Sequence, residues 1–195
     1  MRDTRILLVG VGGQGTILAS RILSWIALAQ GKDVKMSEIH GMAQRGGTVT
    51  TQICVAAEVF SPVIEPGEAD TLLSFELLEA LRSVHFLRHD GLLITNNQKL
   101  SPMSVVTGAA TYPDDIEEKL RMATTNLHII PATAEAVNLN NPRVANVVLL
   151  GALSNLWDEI PLATWEAALA ANVPTRHLEL NHVAFERGRS LVTRQ

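Results

Sequence analysis

The chain is 195 residues long, 47% of them hydrophobic, with 16 basic against 20 acidic side chains for a formal charge of −4, which is enough apolar surface for one core and makes a single domain over residues 1–195 the default. The charges form no long like-signed run, so neither a nucleic-acid footprint nor a polybasic membrane patch is visible, and proteins or small molecules are the expected partners. The single cysteine, Cys54, excludes an internal disulfide and cannot supply the thiolates of an iron–sulfur cluster, so any cluster has to sit on another chain.

Met1 to Arg5 is charged and runs directly into a strand, with no signal-peptide pattern, and no apolar run is long enough to span a bilayer; a cytoplasmic location is expected. Ile6-Leu7-Leu8-Val9 is a continuous apolar run, the pattern of a strand buried on both faces of a sheet. From Thr16 to Gln30 the apolar residues Leu18, Ile22, Trp25, Ile26 and Ala29 recur at helical spacing, and Gly31 is placed to end the helix. Asp33 to Ile39 reads as a second strand, so strand, glycine loop, helix and strand form a βαβ unit with a parallel crossover. The polar, glycine-rich segment from His40 to Gly47 reads as a loop and Thr48 to Val55 as a strand. Ala56-Ala57-Glu58 is expected to turn that strand back into Val59-Phe60 as a small hairpin, which Ser61-Pro62 ends.

Ala69 to Phe75 is strand-like, Glu76 to Leu87 helix-like, and Gly91 leads into a strand from Leu92 to Thr95. Asp114-Asp115 opens a short helix through Ala123. His128 to Ile130 is a short strand, and Thr133 starts another helical turn. The final third reads as helices at Val144 to Leu156, Leu162 to Ala171 and Leu178 to Leu191, divided by Pro161 and Pro174. The expected fold is α/β: a Rossmann-like, doubly wound, mostly parallel sheet with a β-hairpin excursion and a helical C-terminal part.

Gly10-Val11-Gly12-Gly13-Gln14-Gly15 has the G-x-G-x-x-G spacing between a strand and a helix that a dinucleotide fingerprint demands. Such glycines permit positive φ angles and close backbone approach, and the N–H groups at the helix start favour an anion by about 0.3–1 kcal/mol. Gly10, Gly12, Gly13, Gln14 and Gly15 are therefore a candidate anion or coenzyme A phosphate loop. Glu38, near the end of the second strand, stands where a carboxylate would bind a ribose of NAD. It can equally pair with Arg45, and the glycines can equally form a tight turn that holds no ligand.

The stretch Ser37-Glu38-Ile39-His40-Gly41-Met42-Ala43-Gln44-Arg45-Gly46-Gly47 resembles the signature of the gamma-type subunit of 2-oxoacid ferredoxin oxidoreductases, and its His-Gly-Met prefix is similar to the indolepyruvate (arylpyruvate) branch. Phe60-Ser61-Pro62-Val63-Ile64 with Gly67-Glu68-Ala69-Asp70, then Phe75 to Arg82, then Asn146 to Leu153 fit the same family in order. Glu179-Leu180-Asn181 and Ala184-Phe185 extend the likeness over nearly the whole chain. The resemblance implies a complex that oxidatively decarboxylates a 2-oxoacid to an acyl-coenzyme A and passes electrons to ferredoxin. It implies a large partner subunit that carries thiamine diphosphate, magnesium and [4Fe-4S] clusters, with coenzyme A as cosubstrate, in a heterotetramer of two large and two small subunits. It assigns this chain no cofactor or metal of its own and no activity alone.

His40, Gln44, Arg45, Gly46 and Gly47 form a loop that lines the site or docks the partner. Arg45 has the planar fork of donors that suits a carboxylate or phosphate, and His40 titrates in the range of a general acid or base. These two are the only candidates for catalysis, and docking beside the active-site entrance is the favoured reading. Cys54 is expected to be a small core side chain, Trp25, Trp157 and Trp165 to pack in the core or against the partner, and His85, His89, His128, His177 and His182 to be solvated or capping. A partner interface would be supported by exposed apolar surface on the last three helices. The competing readings are a free-standing NAD-dependent dehydrogenase and a nucleotide-binding regulatory module.

Overall fold

The structure, a computed structural model, describes residues 1–41 and 47–193. Six strands, β1 (Thr4–Val11), β2 (Asp33–His40), β3 (Thr48–Ala56), β4 (Ala69–Ser74), β5 (Leu87–Asn96) and β6 (Leu127–Ile130), form one sheet in the order β2-β3-β1-β4-β5-β6. The helices are α1 (Thr16–Ala29), α2 (Leu77–Ser83), α3 (Met103–Val106), α4 (Ile116–Ala123), α5 (Ala132–Asn138), α6 (Ala145–Leu156), α7 (Leu162–Asn172) and α8 (Thr175–Ser190). The α/β class and the sheet flanked on both faces agree with the sequence reading.

The continuous apolar run of β1 serves both faces. Ile6 and Leu8 enter a core beneath α1, α6, α7 and α8, where Ile22, Leu149, Trp165 and Phe185 pack. Leu7 and Val9 enter a second core with Cys54, Leu72, Leu77 and Leu120 on the side of α2 and α4. At about 25 cal/mol per Å², each fully buried aliphatic side chain of β1 contributes roughly 1.5–3 kcal/mol.

Two expectations are corrected. The parallel crossover from β1 to β2 does not bring these strands together: β3 lies between them and is antiparallel to both, while β1–β4, β4–β5 and β5–β6 are parallel. The hairpin is therefore β2–β3, and the expected strand at Val59-Phe60 is a loop. The Asp33 carboxylate accepts from Val59 N at 2.8 Å and the Gln52 side chain accepts from Ile64 N at 2.7 Å. Those N–H groups are thus held by side chains rather than by a ladder, and Pro62 and Pro66 interrupt any strand.

The C-terminal helices do not present the broad exposed apolar surface that would have supported a partner interface there, and Trp165 packs in the core as one of the two expected alternatives. Trp165 and Phe185 are fully buried, and α6 and α8 cross so closely that a Cβ on Gly151 would meet the Phe185 carbonyl and one on Gly188 the Val148 carbonyl. The large exposed apolar side chains lie chiefly elsewhere, at Phe60 (85% exposed), Met103 (70%) and Met122 (82%). No helix among the described residues is long and apolar enough to cross a membrane.

Candidate functional site

The chain leaves β1 for α1 on one face of the sheet and leaves β4 for α2 on the other, so the carboxyl ends of β1 and β4 flank the point where the winding direction reverses. In open α/β sheets this crevice is the usual place for a ligand. The glycine loop opens it. Gly13 and Gly15 have φ of 100° and 81°, the left-handed region that favours glycine.

Gln14 fills the centre of the crevice rather than pointing to solvent. Its Oε1 accepts from Val11 N at 2.7 Å, and its Nε2 donates to the Phe75 carbonyl at 2.9 Å and to Gln98 Oε1 at 3.0 Å. A Cβ on Gly10 would lie 2.8 Å from Gln14 Oε1 and 3.0 Å from Phe75 Cβ, so the first glycine makes room for this brace. At Gly15 a Cβ would run into the amide of Asn146, which donates Nδ2 to Gly15 O at 3.2 Å. The outer glycines thus serve close packing.

Gly12 joins the two loops singled out in the sequence: its N–H donates to the Gly47 carbonyl at 3.0 Å. Between them lies a cleft of about 500 Å³, with Gly12, Gly13, Gly15 and Thr16 on one wall and His40 and Gly41 on the other. The N-terminus of α1 borders it with no side-chain cap and no acidic residue in its first turn. A 14-residue helix with uncapped leading N–H groups presents positive potential there. His40 is half-exposed, and its Nε2 stands 3.8 Å from Glu38 Oε2, an ion pair only when the imidazole is protonated. Gln44, Arg45 and Gly46 lie outside the described residues, as does any pairing of Arg45 with Glu38.

A smaller cleft of about 240 Å³ flanks Gln14 on its other side and is lined by Asn96, Gln98, Thr133 and Arg143, residues the sequence reading did not single out. Asn96 is buried and donates to the Phe75 carbonyl at 3.2 Å and to Thr133 Oγ1 at 2.8 Å, while its Oδ1 accepts from Thr133 N at 3.2 Å. The available signal was positional: Asn96-Asn97-Gln98 directly follows the apolar run of β5, at the carboxyl edge where such sites form.

The inserted strand β3 also decides against the nicotinamide reading of the fingerprint. With β3 between β1 and β2, Glu38 is two inter-strand spacings from the glycine loop, roughly 10 Å instead of roughly 5 Å, and Gln14 occupies the crevice. Among the described residues no group of three or more His, Cys, Asp or Glu is placed to hold a metal ion. Cys54 is a lone buried thiol whose pKa is raised by burial, so this donor set does not fit an iron–sulfur cluster. His128 is half-buried, and burial lowers its pKa.

Residues 5–191 match the family model described as pyruvate ferredoxin/flavodoxin oxidoreductase. The chain is 35% identical over 194 residues to the indolepyruvate oxidoreductase subunit IorB of Pyrococcus horikoshii, covering 96% of this chain and 95% of that protein. Its fold is similar to that of the keto/oxoacid ferredoxin oxidoreductase gamma subunit from Geobacter sulfurreducens, with a TM-score of 0.70, 23% identity and 96% of each chain covered. It also matches 2-oxoglutarate:ferredoxin oxidoreductase from Magnetococcus marinus, a structure with 2-oxoglutarate, coenzyme A and succinyl-CoA bound. There the TM-score is 0.73 and the identity 22%, and the match covers all of this chain but 32% of the larger one.

Proposed function

The chain belongs to the pyruvate ferredoxin/flavodoxin oxidoreductase family, and from that premise we propose that it is the small subunit of a cytoplasmic 2-oxoacid:ferredoxin oxidoreductase acting on indolepyruvate or a related arylpyruvate. Likeness to a subunit named for indolepyruvate over 96% of the chain, together with the His40-Gly41-Met42 prefix, supports the aryl branch. The large subunit holds thiamine diphosphate, magnesium and the [4Fe-4S] clusters, in a complex of two large and two small subunits. Thiamine diphosphate, when bound there, supplies the decarboxylation chemistry. In sum the 2-oxoacid carboxylate and the coenzyme A thiol give carbon dioxide, the acyl thioester and the thiol proton, and the two electrons released pass one at a time to oxidised ferredoxin.

This chain's own part is binding and shaping. The observation that carries the reading is the cleft shared by the glycine loop and the His40 loop, closed by the Gly12–Gly47 hydrogen bond. Its uncapped α1 terminus accepts a phosphate of coenzyme A, and the residues from His40 to Gly47 dock the large subunit at the entrance to the active site. His40, which lines this cleft 3.8 Å from Glu38 Oε2, contacts or orients the ligand there.

Ile17, an exposed residue of the α1 first turn that lines this cleft, provides the test. Ile17→Asp sets a carboxylate where the phosphate would bind without removing a buried side chain. In the assembled complex the KM for coenzyme A should rise about tenfold or more, equivalent to about 1.4 kcal/mol, with decarboxylation in the absence of coenzyme A unchanged. An unaltered KM would place the phosphate elsewhere.

A further inference from the structure

Glu38 and His40 are two residues apart on the edge strand β2, so their side chains leave the same face of the sheet. It is the face that α1 covers, since Val34, in step with them along β2, packs against the core beneath α1. Across the ladder Glu38 stands opposite Thr51 and His40 opposite Val49. Glu38 Oε1 is buried there without a donor, and Oε2 faces His40 Nε2 at 3.8 Å. Among the described residues His40 is the one group within ion-pair range of this carboxylate that can carry positive charge. A carboxylate with a buried, undonated oxygen is costly, and an opposite charge beside it lowers that cost.

His40 is also the only titratable side chain among the described residues that line the cleft assigned above to a phosphate of coenzyme A. There α1 contributes Thr16 and Ile17, β3 contributes Val49, and the glycine loop contributes backbone. Arg21, the one charged residue of α1, is exposed. Asp33 and Lys35 of β2 leave by the opposite face of the sheet and pair with each other.

The two ring nitrogens of His40 therefore differ. A neutral imidazole has one N–H and one lone pair, and a carboxylate facing Nε2 keeps the proton on Nε2. Nδ1 then carries the lone pair, which a phosphate oxygen repels, so a phosphate is held there only once Nδ1 is protonated as well. We infer that Glu38 is a positioning residue for the coenzyme A cleft: it keeps Nε2–H turned toward itself, and His40 takes a second proton from solvent on Nδ1 as the phosphate binds, which sets carboxylate, imidazolium and phosphate in a line of alternating charge. The inference rests on the phosphate reading above and adds a proton to it. Since the bound phosphate strengthens the hold of the imidazole on that proton, the proton strengthens coenzyme A binding by the same factor, and affinity falls as the pH rises through the neutral range.

The test is calorimetric titration of the assembled complex with coenzyme A, under anaerobic conditions and without 2-oxoacid, in buffers of differing ionisation enthalpy, which counts the protons taken up. At about pH 7.5 the wild type should take up roughly half a proton or more per coenzyme A beyond the His40→Gln complex, the ionisation of the phosphates being common to both. Glu38→Gln keeps the shape, removes the charge and should bring the count toward that of His40→Gln. Both variants should flatten the rise in Kd between about pH 6.5 and 8.5, which a merely structural loss would leave in place. Equal proton counts in the wild type and His40→Gln, or a wild-type count in Glu38→Gln, overturn the inference. Coenzyme A binding untouched by Ile17→Asp overturns instead the phosphate reading beneath it, whatever the proton count.

Discussion

Gly188→Ala probes how closely two helix backbones must meet for the glycine loop to be held in place. A Cβ at Gly188 would collide with the Val148 carbonyl oxygen, lie 2.7 Å from its carbon and lie 3.0 Å from Ala152 N. These are rigid backbone atoms, so α8 has to move away from α6 by roughly an ångström, a gap that forfeits a quarter to a half of each dispersion contact across the interface. Overpacking of this kind costs about 1–3 kcal/mol, and the clash with backbone puts Gly188 at the upper end. Alanine's better helix propensity returns about 1 kcal/mol. The net loss is about 2 kcal/mol, or about 4–8 °C in Tm for a chain of this size. Thermal and urea unfolding followed by circular dichroism measure it, with Glu166→Ala on the exposed side of α7 as control. Gly151→Ala meets the Phe185 carbonyl from the other side and should behave alike. The double variant should lose less than the sum, because one displacement relieves both clashes. Asn146 at the start of α6 donates to Gly15 O, so the shift also reaches the glycine loop and should raise the KM for coenzyme A in the complex. A Gly188→Ala protein that unfolds within about 0.5 kcal/mol of the wild type would refute this account of the α6–α8 contact.

Gln14→Glu keeps an acceptor for Val11 N but turns an oxygen toward the Phe75 carbonyl and Gln98 Oε1; it should cost about 1–3 kcal/mol in urea unfolding, and a loss below about 0.5 kcal/mol would contradict its role as a brace. Asp33 has its pKa lowered by the Val59 N–H and then by Lys35, so its contribution is complete above about pH 4, the ordinary aspartate range, and is lost as the pH falls through the folded-state value. Urea midpoints of Asp33→Asn should therefore lie below the wild type at neutral pH and converge with it in acid; a gap that is constant with pH would rule out the carboxylate as the cause.

The elements were legible because their signals are local. The α1 periodicity ending at Gly31, the double-faced run of β1 and the prolines flanking α7 each act within a few residues of the boundary they set. The order of strands was not legible, since a strand's neighbour depends on partners distant in sequence. One hint existed: Asp33, Lys35, Ser37, Glu38 and His40 make β2 polar enough for a sheet edge, whereas the burial of Thr51 to Val55 that marks β3 as a central strand is visible only in the fold. The glycine loop and the His40 loop were both readable as motifs, but their meeting through Gly12 and Gly47 follows from the inserted strand. Gln14 was read as a ligand residue, yet what it touches, Phe75 and Gln98, lies 61 and 84 residues away. Asn96 and Thr133 belong to no spacing pattern; their significance comes from burial and from polar atoms that only the folded chain brings together.

The central claim, that this chain works as the small subunit of a 2-oxoacid:ferredoxin oxidoreductase, is tested most directly by capturing the tagged chain from its native anaerobic lysate and assaying the eluate. The account predicts recovery of a large thiamine- and iron–sulfur-bearing subunit together with coenzyme A-dependent reduction of ferredoxin by indolepyruvate. A chain that elutes alone, binds a nicotinamide cofactor and supports no such activity would contradict it.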